Sequence, residues 1–112
     1  MIDDTDDVVI AAITAAELLV GIQLANDHHR ATREAFVEAL LATVPIEPYD
    51  LETARAHSDL LVHTRKAGRL RGAHDLVIAA TARATERTVL TADSTGFVDL
   101  PGVAVMSMPA GA

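Results

Sequence analysis

The sequence predicts a single α/β domain over residues 1–112, with helices flanking a mostly parallel central sheet. Short, nearly continuous apolar runs alternate with longer amphipathic segments, the pattern of strands alternating with helices. Half of the residues are hydrophobic, which is enough for a real core. Parallel strands covered by helices on both faces read as unbroken apolar runs, so we expect three layers.

The first predicted strand is the apolar run VVIAAI at residues 8–13. It follows the acidic opening MIDDTDD, whose four aspartates we expect to form a solvated lead-in to the strand. Thr14 and Glu17 match the S/T-x-x-E pattern of a capping box. A helix is therefore predicted to begin at Thr14.

The sequence pattern in the middle of the chain predicts two more helices. The polar residues 26–29 are expected to end or bend the first helix, and the next runs from about residue 29 to 43. The prolines of VPIEPY allow only an edge strand or a very short one. A long helix then extends from Asp50, its predicted cap, to Gly68, which occupies the position of a left-handed C-terminal cap.

The C-terminal part completes the alternation. The loop RLRGAH leads into the helix DLVIAATARATE, whose first half is almost wholly apolar. The short strand TVLTAD ends in a turn, GFVDLPG forms a loop, and VAVMSM is a final short strand.

Composition and charge exclude several classes of protein. The chain has no cysteine, so neither disulfides nor thiolate metal sites are possible. No apolar run approaches the roughly 18 residues of a membrane span, and no signal-peptide pattern is present. We therefore expect a cytoplasmic protein without membrane association. The net charge is −7, so binding to RNA or DNA would require local arginine and histidine or metal ions.

Three carboxylates fall where helices begin or strands end: Glu17, Asp75 and Asp93. In an open α/β sheet these positions gather at one edge, where ligands bind. Carboxylates held close together repel one another, and a divalent cation relieves that repulsion. Oxygen ligands favour Mg²⁺ or Mn²⁺, and such ions suit phosphodiester hydrolysis.

Each acid also has a simpler explanation when it is taken alone. Glu17 can close the capping box. Asp75 can complement the positive end of its helix dipole. Asp93 can be an ordinary turn residue. The metal site is favoured only because all three fall at the same predicted edge.

Three segments together resemble a PIN-domain ribonuclease of the VapC type, the toxin of a toxin–antitoxin pair. They are ITAAELLVGI, HDLVIAATA, and VLTADSTGF followed by LPGV. The resemblance implies a three-layer PIN-like domain and a Mg²⁺- or Mn²⁺-dependent endoribonuclease that cleaves RNA with metal-activated water. It makes Glu17, Asp75 and Asp93 the catalytic metal ligands, with Thr14 and Thr91 in support.

The sequence departs from the family pattern in its last turn and at its start. Gly96 stands where the family has a second turn acid, and Asp99 matches no motif position. The family also begins with a buried strand that ends in an aspartate. This sequence enters the pattern later, so we expect the first strand and its aspartate to be missing. We also expect the chain as written to be weakly stable or inactive as a nuclease, and a full-length form that includes this strand to be active.

The expected partners are RNA, an antitoxin and a second copy of the chain. Arg69 and Arg71 precede Asp75 in a loop, and either contact the RNA backbone or remain solvated. The resemblance implies a cognate VapB-like antitoxin, held against the helices at 14–25 and 31–44, and a homodimer. An alternative hypothesis stays open, in which the chain is a catalytically inactive, truncated PIN domain that binds the antitoxin.

Overall fold

The computed structural model describes residues 8–69 and 71–107. The elements of this part of the chain are β1 (Ile10–Ala11), α1 (Ala12–Leu24), α2 (Asp27–Thr43), β2 (Ile46–Glu47), α3 (Leu51–Ala67), α4 (Ala73–Ala84), β3 (Thr88–Thr91) and β4 (Ala104–Ser107), with a 3-10 turn at Ser94–Phe97. The predicted α/β class is confirmed. The predictions made for residues 1–7 and for Met108 fall outside the described residues.

The strands pair in parallel, as predicted. In the described residues they form two separate two-stranded sheets, one of β1 with β2 and one of β3 with β4. Ile10 lies opposite Ile46 in the first sheet, and Val89 lies opposite Val105 in the second. The chain divides into two compact units, one up to Pro48 and one from Tyr49 onward, and each holds one of these sheets. The single domain over residues 1–112 stays a prediction.

The start of α1 differs from the prediction. The helix begins at Ala12 rather than Thr14, and Ala11 occupies the N-cap without any side-chain hydrogen bond. Thr14 is already inside the helix, so the predicted capping box of Thr14 and Glu17 is wrong. The physical reason is that only two residues of the apolar run pair with β2, which leaves the following alanine, a strong helix former, free to enter the helix.

The predicted break between the first two helices is confirmed. The Asn26 side chain caps α2 by accepting a hydrogen bond from the His29 backbone N–H at 3.0 Å. Arg30 donates from Nη2 to the Ala25 carbonyl at 2.7 Å, and so satisfies an acceptor at the end of α1. The bond from Arg30 therefore links the start of α2 to the end of α1.

The second unit has its own core, formed where α3 packs against α4 and α4 packs against β3. Both predicted caps of α3 are confirmed. Asp50 accepts from the backbone N–H and the hydroxyl of Thr53, each at 3.0 Å, and Gly68 adopts a left-handed φ of 68°. The buried apolar residues of this core are Ala56, Leu60, Leu76, Ala79, Ala80, Ala82, Val89, Phe97 and Leu100.

No helix among the residues that the structure describes is both long enough and apolar enough to cross a bilayer.

Candidate functional site

Asp75 lies in the first turn of α4, where its side chain is half-buried. The helix buries its apolar face from Leu76 to Ala82 in the core of the second unit, which fixes the position of its first turn. Gly72 at the N-cap supplies no side-chain acceptor, so the Asp75 carboxylate is the negative charge at the positive end of this helix.

Gly96 lies directly beside Asp75. A Cβ atom added at Gly96 would collide with Oδ2 of Asp75. The close approach is possible because glycine has no side chain, and the 3-10 turn that carries Gly96 packs against α4 through buried Phe97. The backbone of this turn therefore defines one wall of the space around the Asp75 carboxylate.

Asp93 caps the same 3-10 turn and is exposed. Its Oδ1 accepts a hydrogen bond from the Thr95 hydroxyl at 2.7 Å and another from the Thr95 backbone N–H at 3.1 Å. These two bonds, the hydroxyl first, lower the pKa of Asp93 below its ordinary value of 3.8. Thr91 closes the turn from the other side, because its hydroxyl oxygen accepts from the Asp93 N–H at 3.1 Å.

Glu17 lies on an exposed position of α1, in the first unit, whereas Asp75 and Asp93 belong to the second. Because α1 begins at Ala12, Glu17 is past the first turn. Within either unit, no three histidine, aspartate or glutamate side chains among the described residues are grouped closely enough to hold a metal ion. The three-residue metal set, and the supporting role of Thr14 in α1, therefore stay predictions.

The donor chemistry of the second unit nevertheless fits a hard cation. Asp75 and Asp93 offer carboxylate oxygens, which are the ligands of Mg²⁺ and Mn²⁺. The lowered pKa of Asp93 keeps that group ionised.

Arg69 and Arg71, the predicted RNA contacts, bind the segment after the 3-10 turn. Arg69 forms an ion pair from Nη1 to Oδ2 of Asp99 at 3.0 Å. Arg71 donates from Nη2 to the Val98 carbonyl at 2.8 Å. Both line a cleft of about 240 Å³, which we call the arginine cleft; its other lining residues are His63, Thr64, Ala67, Asp99 and Leu100.

Sequence reasoning missed Thr95 and did not assign a role to Asp99. A signal for Thr95 was present, because an aspartate commonly accepts from the backbone two residues later in a turn. The Asp99 contact had no local signal, since its partner Arg69 lies 30 residues away in the sequence.

Comparison with known proteins extends this description. The model of the PIN domain family matches residues 1–102. The chain is 30% identical to "Ribonuclease VapC" of Rickettsia bellii over 105 residues, covering 93% of this chain and 78% of that protein.

Solved structures agree in fold. VapBC2 from Rickettsia felis, bound to a DNA fragment from its promoter, matches with a TM-score of 0.85 at 20% identity, covering 93% of this chain and 77% of the other. VapBC-5 from Mycobacterium tuberculosis, of the VapBC family of toxin–antitoxin systems, matches with a TM-score of 0.81 at 29% identity, covering 89% and 81%. The family model spans most of the chain, and the R. bellii relative shares its sequence over nearly all of it. The resemblance seen in the sequence motifs is thereby confirmed, and the chain belongs to the PIN-domain family.

Proposed function

We propose that this chain is a metal-dependent endoribonuclease and the toxin of a toxin–antitoxin pair. The observation that carries the proposal is its similarity, over 93% of its length, to a ribonuclease VapC. The second unit supports it, because Asp75 is held at a helix N-terminus and Asp93 is held ionised in a turn of the same unit.

We assign Glu17, Asp75 and Asp93 as ligands of one or more Mg²⁺ or Mn²⁺ ions. Such an ion, when bound, activates water, orients the phosphate and stabilises the leaving oxygen. The chain contributes the positions of its carboxylates. Thr91 and Thr95 hold the Asp93 turn by hydrogen bonds, and α4 holds Asp75 against Gly96.

The proposed protein partner is a VapB-like antitoxin. The matching M. tuberculosis structure belongs to the VapBC family of toxin–antitoxin systems. The first unit exposes large apolar side chains on its helices, with Leu24 80% and Phe36 64% exposed, and such surfaces commonly mark interaction sites. A homodimer and a cytoplasmic location belong to the same proposal.

Cleavage of single-stranded RNA in the presence of Mg²⁺ or Mn²⁺ tests the proposal. The expected absence of the family's first strand predicts weak or no cleavage, whereas the similarity to a ribonuclease VapC over 93% of the chain favours a parent chain that cuts RNA. EDTA should stop that cleavage. Asp75→Asn and Asp93→Asn should each slow cleavage by at least about a hundredfold, since loss of even an outer partner of a metal site costs 10–100-fold. Asp59→Asn is the matched control, because it makes the same charge change on α3, and it should cut like the parent. Parent-like cleavage by Asp75→Asn would contradict the assignment.

The alternative is an inactive chain that binds only the antitoxin. Thermal melting with and without metal distinguishes it from the proposed nuclease. Mg²⁺ or Mn²⁺ should raise the melting temperature of the parent and not that of Asp75→Asn, because a ligand that binds only the folded state stabilises it. A parent chain that neither cuts RNA nor shifts with metal, yet binds the antitoxin, would favour the alternative.

A further inference from the structure

The arginine cleft lies in the most basic part of an acidic chain. Four of the nine lysines and arginines fall within one short stretch, at Arg65, Lys66, Arg69 and Arg71, although the net charge is −7. The stretch covers the end of α3 and the start of the loop before α4. Positive charge is therefore concentrated close in sequence to Asp75.

The Asp99 carboxylate forms an ion pair with Arg69 and so supplies a negative charge within the cleft. Asp99 has a φ of 63°, one of two left-handed non-glycine residues in the described part of the chain. Aspartate is one of the few non-glycine residues that adopt this conformation readily. This conformation accompanies the 3.0 Å ion pair with Arg69. Both side chains are more than 60% exposed, so the pair is weak and exchangeable.

Arg71 offers a second donor group in the same cleft. Its Nη2 is engaged by the Val98 carbonyl, but its Nε is buried and has no hydrogen-bond partner among the described residues. Buried donors are nearly always satisfied in folded proteins. Arg71 Nε and Arg83 Nη1 are the two exceptions among the described residues, and only Arg71 lines the cleft. The guanidinium fork matches the oxygens of a phosphate.

The size and position of the cleft indicate which kind of anionic ligand it would bind. A volume of about 240 Å³ is below the roughly 300–1,000 Å³ of sites that enclose a whole small molecule. The space suits one charged group of a longer chain. The loop of Arg71 leads directly into α4 and Asp75, and Val98 follows the turn that contains Gly96. The same two segments thus form the cleft and the surroundings of Asp75.

We propose that the arginine cleft binds a phosphodiester group of the RNA, and that Asp99 holds Arg69 until a phosphate displaces it. The proposal rests on the proposed function in one respect, that the substrate is RNA. It adds a binding subsite in the same unit as Asp75 and Asp93, and a residue, Asp99, that competes with the substrate for this subsite.

Binding of a labelled single-stranded RNA of about ten nucleotides, measured in EDTA, tests the subsite without cleavage. Asp99→Asn should bind about two- to fivefold more tightly, the range that an exposed ion pair is worth. Asparagine tolerates the left-handed backbone, so the loop should keep its shape. Asp59→Asn is the control: Asp59 pairs with Arg83 at 3.2 Å and is similarly exposed, but it does not line the cleft. It should leave RNA affinity unchanged.

Variants that lack the Arg69 side chain test whether the effect of Asp99→Asn acts through the ion pair of Arg69 with Asp99. Arg69→Ala should weaken binding and flatten the slope of log affinity against log salt by about 0.7, the value for one contact to a single strand. Adding Asp99→Asn to Arg69→Ala should give no gain. Melting temperatures of all variants should stay near that of the parent, which separates binding from folding.

Three results of the RNA-binding measurements would overturn the proposal. One is an equal gain in RNA affinity from Asp99→Asn and Asp59→Asn, which would indicate that the net charge of the protein, and not the cleft, governs binding. Another is a gain from Asp99→Asn that persists without Arg69. The third is an acidic peptide that binds as tightly as RNA and gains as much from Asp99→Asn. Cleavage that depends on Asp75, with no effect at Asp99, would refute the subsite alone and leave the nuclease proposal intact.

Discussion

Gly96 and Asp75 are in such close contact that no side chain fits at position 96 while the Asp75 carboxylate keeps its place. The Asp75 side chain itself takes up the space that a side chain at position 96 would need. The position of Asp75 thus depends on a residue that has no functional group of its own.

Gly96→Ala should therefore impair the nuclease and the fold together. The added methyl group must displace either Asp75 or the 3-10 turn, which we expect to lower the free energy of unfolding by about 1–3 kcal/mol, the usual range for overpacking. RNA cleavage should fall with it. Urea unfolding and the cleavage assay provide the two measurements.

Gly72→Ala is the matched control for Gly96→Ala, because both glycines lie beside the Asp75 carboxylate. A Cβ at position 72 would lie 3.5 Å from the same carboxylate oxygen, which is an ordinary van der Waals contact. This variant should keep its cleavage activity. If Gly96→Ala cut RNA as fast as Gly72→Ala, the contact would have no bearing on activity.

Gly68 and Gly21 should respond to alanine with opposite signs. Gly68 has a φ of 68° and open space around its Cβ position, so Gly68→Ala should destabilise the protein by about 1 kcal/mol through backbone strain alone. Gly21 lies inside α1, and its added Cβ would come no closer than 3.7 Å to Arg33. Gly21→Ala should stabilise by up to about 1 kcal/mol because alanine favours a helix.

Urea unfolding at neutral pH measures both changes. Gly68→Asn is a further check, since asparagine is tolerated in left-handed caps and should restore part of the loss. A stabilising Gly68→Ala would mean that the left-handed cap does not constrain the end of α3.

The stability of the protein should decrease in acid partly through Asp50 and Asp93. Hydrogen bonds from Thr53 lower the pKa of Asp50, and those from Thr95 lower the pKa of Asp93, both from an ordinary value of 3.8. A lowered folded-state pKa adds stability that is present above the unfolded value and is lost as pH falls through the folded value. The loss should therefore occur below about pH 4.

Thermal melting of Asp50→Asn and Asp93→Asn between about pH 6 and pH 3 measures this effect, because asparagine keeps the acceptor oxygen and removes the titration. Each variant should lose less stability than the parent over the acidic part of the range. Parallel curves for the parent and both variants would show that these two groups do not contribute.

The local parts of the fold could be predicted from the sequence. The caps at Asp50 and Gly68 depend on residues within one helical turn, so the pattern specifies them. The start of α1 could not, because a short apolar run fits a buried strand as well as a buried helix. Strand pairing decided the boundary at Ala12, and pairing depends on residues distant in sequence.

The same distinction holds for the candidate site. The turn of Thr91, Asp93 and Thr95 is local, and the motif predicted its polar character. The contact of Gly96 with Asp75 and the pair of Arg69 with Asp99 join residues that only the fold brings together. Local spacing provides no information on such pairs.

The two-stranded sheets have a consequence for behaviour in concentrated solution. Among the described residues, each strand of the β3–β4 pair has a neighbour on one side only, and β3, TVLT, carries no charge or proline. Such edges can accept strands from other molecules. The net charge of −7 opposes this by repulsion between molecules. Salt screens that repulsion, so colloidal stability should be governed by ionic strength as well as by temperature.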